Sequence, residues 1–187
     1  GKLLEALNNY NRALKIHKEI GSKTGIATAY NNIAIIYTNQ GYQDKALESF
    51  LKSLSIFNEI NSTAETSTIL NNIGTIYLSK GDLTEALRFS KEALQIAEKN
   101  NNKSDQACSL NNIGEILCIQ TNDVEGLEYF LQSLKINEEI GYKAWASVSL
   151  TNIGEYYLRR NDIEKAKEYG EKNFILSKQI GYPANIL

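Results

Sequence analysis

The sequence lacks the residues from which most catalytic and metal sites are built. It contains one histidine, His17, and two cysteines, Cys108 and Cys118, among 187 residues. A zinc site needs three or four clustered ligands, and an activated nucleophile needs a base beside it. His17 lies among charged residues, so we expect it on the protein surface. The sequence therefore predicts no enzyme activity, no metal site and no cofactor.

The chain also lacks a strong net charge and a long apolar run. Its formal net charge is -2 and its isoelectric point is about 5.6. Nucleic-acid and anionic-membrane surfaces attract proteins that carry a basic face. No apolar run approaches the roughly 18 residues that a membrane-spanning helix needs, and no signal-peptide pattern opens the chain. We therefore predict neither a nucleic-acid partner nor membrane insertion.

The two cysteines are too far apart for a disulfide if they lie on one helix. Ten residues of helix separate them by about 15 Å along the axis, beyond the reach of a disulfide. Unpaired thiols suit a reducing compartment, which predicts a cytoplasmic location. The chain contains no methionine and begins with Gly1, so we expect it to be a fragment of a longer protein.

What the sequence does contain is a repeat of 40 residues without any insertion. Apolar spacings of three and four residues predict two helices in each repeat, the first over residues 25–40 and the second from about Asp44. Three sets of residues recur at the 40-residue interval: Ala6, Ala46, Ala86 and Ala166; Leu14, Leu54, Leu94 and Leu134; Ile20, Ile60, Ile140 and Ile180. The predicted core positions of the first full repeat are Tyr30, Ile33, Ala34, Tyr37, Ala46, Leu47, Phe50, Leu51, Leu54 and Ile56.

These core positions resemble the tetratricopeptide repeat (TPR) over essentially the whole chain. The motif has a large residue, Leu-Gly and Tyr on its first helix, then Ala and Phe on its second. Later repeats match it at Leu70, Ile73, Gly74, Tyr77 and Ala86; Leu110, Ile113, Gly114 and Phe130; Leu150, Ile153, Gly154, Tyr157 and Ala166. The 40-residue length is similar to that of Pins-type adaptors, kinesin light chains and bacterial signalling proteins. The resemblance implies an all-α, right-handed superhelix of antiparallel helix pairs, a TPR solenoid.

On this basis we divide the chain into a single array of repeats. Residues 1–22 are expected to form the second helix of a truncated repeat, and residues 183–187 the start of a further one. The complete repeats are 23–62, 63–102, 103–142 and 143–182. The small residue at Ala34, Gly74, Gly114 and Gly154 should allow the two helices of each repeat to approach closely. Gly126 and Gly170 replace the motif's Ala and Phe, which predicts looser packing around the second helices of the third and fourth repeats.

Asparagine recurs at the same phase on every first helix. On a helical wheel Asn32 lies on the side away from the core, and Asn31 lies on the flank toward the adjacent helix. In the family that the chain resembles, first helices line the concave wall of the superhelix. The predicted ladder within that groove is Asn32, Asn72, Asn112 and Asn152. A carboxamide can donate to and accept from the main chain of an extended peptide, as such ladders do in similar repeats.

The remaining candidate site residues refine the expected partner. The flank row is Asn31, Asn71 and Asn111, and further groove positions are Thr75, Glu115, Glu155 and Arg159. The wall becomes more acidic toward the C-terminal repeats, which favours an extended peptide of neutral or slightly basic character. Alternatively, the flank asparagines serve only the stacking of neighbouring helices.

Two further functions stay open at this point. In one, the array is a sensory or regulatory region of a larger signalling protein whose curvature a bound peptide sets. In the other, it is a scaffold that self-associates end to end through its truncated terminal repeats.

Overall fold

A computed structural model of the chain describes residues 2–120 and 123–181. Within these residues every regular element is a helix, as predicted. The helices are α1 (Lys2–Glu19), α2 (Lys23–Asn39), α3 (Gln43–Glu59), α4 (Thr66–Ser79), α5 (Leu83–Lys99), α6 (Lys103–Ile119), α7 (Asp123–Glu139), α8 (Lys143–Arg159) and α9 (Ile163–Ile180). None of these described helices is long and apolar enough to cross a membrane. The predicted start of a further repeat at 183–187 lies outside the described residues.

The turns between the helices fall at a regular interval of 20 residues. Each of these turns that falls within the described residues contains one residue with a left-handed backbone, at φ between 53° and 78°. These residues are Gly21, Gly41, Asn61, Gly81, Asn101, Gly141, Asn161 and Gly181. Glycine and asparagine are the residues that adopt this conformation at least cost, and it ends a helix by turning the chain. These residues therefore mark where the preceding helices end.

The helices form two compact units, residues 1–96 and 97–187, and the boundary falls within α5. In the N-terminal unit, the core contains side chains from α2, α3, α4 and α5. Its members include Ala34, Phe50, Phe57, Ile73 and Phe89. The unit is therefore a set of helices whose apolar faces bury one another, as repeats require.

The buried face of α3 differs in part from the predicted one. Leu51 is 41% exposed, so its predicted place in the core is wrong, and Phe57 is fully buried instead. Leu51 follows the buried Phe50 by one residue, which rotates it about 100° around the helix axis. Ser53 lies on the buried face, and its Oγ donates to the Ala27 carbonyl of α2 at 2.8 Å.

His17 is another correction to the sequence-based expectation. The side chain is half-buried rather than on the open surface, and its ring occupies the space that a Cβ on Gly25 would need. Its Nδ1 is buried and makes no hydrogen bond to the described residues. The absence of a side chain at Gly25 therefore lets α1 and α2 approach closely around the histidine ring.

In the C-terminal unit, the core joins α7 and α8 through Phe130, Leu134, Ala146, Leu150 and Ile153. The serine bond of the N-terminal unit recurs here at the equivalent positions. Ser133 Oγ of α7 donates to the Ala107 carbonyl of α6 at 2.8 Å. The same pairing of second helix to first helix therefore operates in both units.

The glycines of α6 and α7 bring these helices into close contact. A Cβ on Gly114 would lie 2.9 Å from the Gly126 carbonyl, and a Cβ on Gly126 would lie 2.5 Å from Cys118 Sγ. The predicted looser packing of the third repeat is therefore wrong, because Cys118 fills the space beside Gly126. In the fourth repeat the prediction holds, since no atom of the described residues lies within 4 Å of a Cβ on Gly170. An apolar pocket lined by Gly154 and Gly170 lies there between α8 and α9.

Candidate functional site

Four of the sequence-predicted site residues lie around one pocket in the C-terminal unit. Glu115 of α6 and Asn152, Glu155 and Arg159 of α8 line it, and its volume is about 340 Å³. The 40-residue register explains this convergence, because α6 and α8 are the first helices of consecutive repeats. Equivalent positions on the two helices therefore face the same space. We call this the C-terminal pocket.

The two predicted asparagine rows are joined to each other by a hydrogen bond. Asn152 Nδ2 donates to Asn111 Oδ1 at 3.0 Å, linking α8 to α6. Asn111 is buried, with 4% of its surface exposed, whereas Asn152 is half-buried at the pocket. The second N–H and the carbonyl oxygen of Asn152 make no hydrogen bond to the described residues. The Asn111 side chain thus orients the Asn152 carboxamide without using all of its hydrogen-bonding groups.

The seven other predicted site residues do not line this pocket. Asn31 and Asn32 are half-buried on α2, and Asn31 Oδ1 makes no hydrogen bond to the described residues. On α4, Asn71 is buried, and the Thr75 hydroxyl donates to the Asn71 carbonyl at 3.0 Å. The remaining positions of the predicted rows are Asn72, which is half-buried, and Asn111 and Asn112, which are buried.

The pocket also contains residues that the predicted site did not include. These are Cys118, Ile119, Asp123 and Phe130. Ile119 occupies the position in its repeat that Arg159 occupies in the next, so the register alone was sufficient to find it. Asp123 and Phe130 belong to α7, and the periodicity of the first helices carries no information about a side chain from a second helix.

The charged groups of the pocket are mainly acidic. Asp123 Oδ2 lies 3.4 Å from a guanidinium nitrogen of Arg160, so this carboxylate has a partner. Glu115 and Glu155 form no ion pair with the described residues. Partial loss of solvent contact raises the pKa of Glu115, although the residue stays in part exposed, and repulsion from Glu155 raises it further. Glu115 therefore carries a charge that its surroundings disfavour.

Both thiols are free, and both are expected to stay protonated at neutral pH. Burial raises the pKa of Cys108 to about 12, with a contribution from Asp105. Burial also raises the pKa of Cys118, and the Asp123 carboxylate adds to the effect. A thiol with a raised pKa holds its proton and is a poor nucleophile. Within residues 2–120 and 123–181, no three histidine, cysteine or acidic side chains are grouped as a metal site requires.

Comparison with known proteins identifies the family of the repeats. The family profile described as tetratricopeptide repeat matches residues 1–59, 26–99 and 105–172. No curated protein matches the chain. The chain is similar to the crystal structure of BtubC (BKLC) from P. vanneervenii, with a TM-score of 0.83 and 22% identity. The match covers 100% of this chain and 78% of that one.

Two other solved structures show the same fold at lower identity. Aspartyl phosphate phosphatase F from Bacillus subtilis has a TM-score of 0.85 and 16% identity; the match covers 96% of this chain and 50% of that one. A putative kinesin light chain from Podospora anserina has a TM-score of 0.73 and 14% identity, with 96% and 89% covered. At these identities the likeness establishes the fold alone. The chain spans half the length of the phosphatase.

Proposed function

Because the chain belongs to the tetratricopeptide repeat family, we propose that it is a protein-interaction module that binds an extended peptide along its first helices. Members of this family generally mediate protein–protein interactions. The observation that carries the proposal is the convergence of Glu115, Asn152, Glu155 and Arg159 on one pocket. The helical register predicts that all four residues face away from the core. The open pocket among them provides the space that a peptide needs.

Asn152 would bind the main chain of the peptide rather than its side chains. Its bond to Asn111 fixes the carboxamide and leaves one N–H and the carbonyl oxygen for a ligand. A peptide unit offers the complementary carbonyl and N–H. In this proposal Asn111 of the flank row orients Asn152 of the ladder row. The same hydrogen bond would therefore serve both the stacking of α6 against α8 and the binding of the peptide. Asn32 and Asn72, which are half-buried, would extend the ladder in the first two complete repeats, whereas Asn112 is buried and would not contribute.

The test measures peptide binding and stability on the same variants. The probes are fluorescein-labelled pools of nine-residue peptides with degenerate positions, and the readout is fluorescence polarisation. We expect Asn32→Ala and Asn152→Ala each to weaken binding by about three- to tenfold, the worth of a net hydrogen bond. The matched control is Asn58→Ala, at an exposed asparagine on α3, a second helix.

Thermal and urea unfolding then separate binding from stacking. Asn152→Ala leaves the buried Asn111 oxygen without its donor, which should cost about 1–2 kcal/mol of stability. Asn32 has no such bond to the described residues, so Asn32→Ala should leave the stability unchanged. If neither variant weakens peptide binding, or if the wild-type protein binds no pool, the groove proposal is wrong and the asparagines serve only stacking.

A second candidate is the sensory or regulatory region of a larger protein. It is favoured by the likeness to aspartyl phosphate phosphatase F, since the chain spans half the length of that protein. Here a bound peptide would change the curvature of the array. Small-angle scattering with and without a saturating peptide pool tests this idea, and an unchanged scattering profile would contradict it. The cytoplasmic location stays a prediction.

Self-association stays a third candidate because both terminal helices carry exposed apolar side chains. On α1, Leu4 and Ile16 are 58% and 55% exposed, and on α9, Ile163 and Ile175 are 56% and 59% exposed. Light scattering over a range of protein concentrations would test this candidate. A constant monomer mass would exclude it.

A further inference from the structure

The lining of the C-terminal pocket contains both apolar and polar groups. Cys118, Ile119 and Phe130 contribute apolar surface, and charged groups and the Asn152 carboxamide complete the lining. A ligand that matches both parts needs an apolar stem and a polar end. Long side chains such as lysine have this character, because they bury their methylene groups while their charged end stays among polar groups.

The charges of the pocket favour a cationic end. Three carboxylates line it, from Glu115, Asp123 and Glu155, against the single guanidinium of Arg159. Asp123 is paired with Arg160, which leaves the two glutamates without an ion-pair partner among the described residues. The attraction of a cation between them would offset the repulsion and the desolvation that raise the pKa of Glu115. An anionic ligand would meet the same two glutamates at a cost.

The number of acceptors favours an ammonium group in particular. Glu115, Glu155 and the Asn152 carbonyl oxygen are three acceptors in the lining of one pocket, and they come from two different helices. An ammonium has three donors that point in different directions. A guanidinium is a planar fork that suits a single carboxylate in two parallel bonds. Dispersed acceptors therefore suit lysine better.

We propose that the C-terminal pocket binds the side chain of a lysine residue, with its stem against Ile119 and Phe130 and its ammonium between Glu115 and Glu155. This inference rests on the proposed function, since the lysine would belong to the bound peptide. It narrows the partner to one that carries a lysine in its extended segment. The pocket would then supply the sequence specificity that an asparagine ladder, which binds only main chain, does not have.

The first experiment examines the pocket without a peptide. The probes are N-acetyl-lysine-methylamide and N-acetyl-norleucine-methylamide, which share the same stem and differ in the ammonium. Each is titrated into the ¹⁵N-labelled protein, and the shifts of the Asn152 side-chain amide and the Glu115 backbone amide are followed. We expect the lysine probe to bind about tenfold more tightly, as a charge-assisted hydrogen bond provides.

Three variants give the direction of the charge effect. Glu115→Gln should remove most of the lysine preference, because the pocket loses a carboxylate. Arg159→Gln should increase the preference, because the pocket loses its competing cation. Glu128→Gln, at an exposed glutamate of α7 outside the pocket lining, is the matched control and should change nothing. Equal binding of the two probes, or an equal response of the three variants, would overturn the proposal.

The second experiment separates this inference from the groove proposal. Two nine-residue peptide pools are compared, with lysine or norleucine at the fixed central position. A pool that binds without any preference for lysine leaves the groove function standing and refutes the lysine pocket. Failure of both pools refutes the groove function, and the small probes still decide whether the pocket accepts lysine.

Discussion

At the scale of single residues, Glu115 links the charge of the pocket to the stability of the fold. Its pKa is raised above the ordinary value of 4.5 by burial first and by Glu155 second. A carboxylic acid with a raised pKa in the folded protein destabilises the fold when ionised. The penalty is present above the raised pKa and disappears below the pKa of the unfolded chain. The other charged groups of the pocket are Asp123 and Arg159.

We therefore expect Glu115→Gln to raise the melting temperature at pH 7. The increase should shrink as the pH falls through the raised pKa and vanish below about 4.5, where the wild-type carboxyl is protonated in both states. Circular dichroism melts between pH 4 and pH 8 measure the difference, with Glu128→Gln as the control. A melting temperature that stays the same or falls at pH 7 would contradict the assigned environment of Glu115.

Cys108 provides a second prediction at the residue scale. With its pKa raised from 9.0 to about 12, its thiolate population at pH 8 is about 1,000-fold lower than that of an ordinary thiol. We expect iodoacetamide to modify Cys108 slowly in the native protein and rapidly in urea, as followed by mass spectrometry of the peptides. Rapid modification of the native protein at pH 8 would show that the thiol is neither buried nor protonated as described.

At the scale of the helices, glycine has opposite effects at two positions. A Cβ on Gly170 of α9 meets nothing within 4 Å, so Gly170→Ala should stabilise the protein by about 1 kcal/mol through helix propensity. A Cβ on Gly114 of α6 would lie 2.8 Å from the Phe130 ring. Gly114→Ala should therefore destabilise by about 1–3 kcal/mol. Urea unfolding of both variants tests the contrast, and changes of the same sign would refute it.

The helices themselves were predictable from the sequence, because their signals are local. The first helix was predicted over residues 25–40 and is found at Lys23–Asn39. The second was predicted from about Asp44 and begins at Gln43. Turn residues and apolar spacing fix these limits, and both act within a few residues.

Packing between helices was predictable only in part. The periodicity placed Ile33, Ala34 and Phe50 correctly in the core. It did not reveal that Cys118 fills the space beside Gly126. These two residues lie on different helices, and the repeat motif describes each helix separately. The candidate site divides in the same way. Residues of the first helices were found from their register, whereas those contributed by α7 depend on the packing of a second helix.

At the scale of the whole molecule, the array follows from one local event repeated every 20 residues. A left-handed glycine or asparagine ends each helix whose following turn the structure describes, so the same turn recurs with similar geometry. In repeat proteins the total stability is approximately a sum over repeats and their interfaces. Equivalent substitutions at equivalent turns should therefore have equal effects.

Gly41 and Gly81 allow this to be tested. Their φ angles are 77° and 78°, and a Cβ on either meets nothing within 4 Å, so alanine brings backbone strain alone. We expect Gly41→Ala and Gly81→Ala each to destabilise by about 1–2 kcal/mol, and the double variant by their sum. Replacement by asparagine should cost less, because Asn61 and Asn101 already adopt this conformation. Urea unfolding measures each value. Unequal single effects would mean that the turns are not equivalent, and a double effect that departs from the sum by more than about 0.5 kcal/mol would mean that they are not independent.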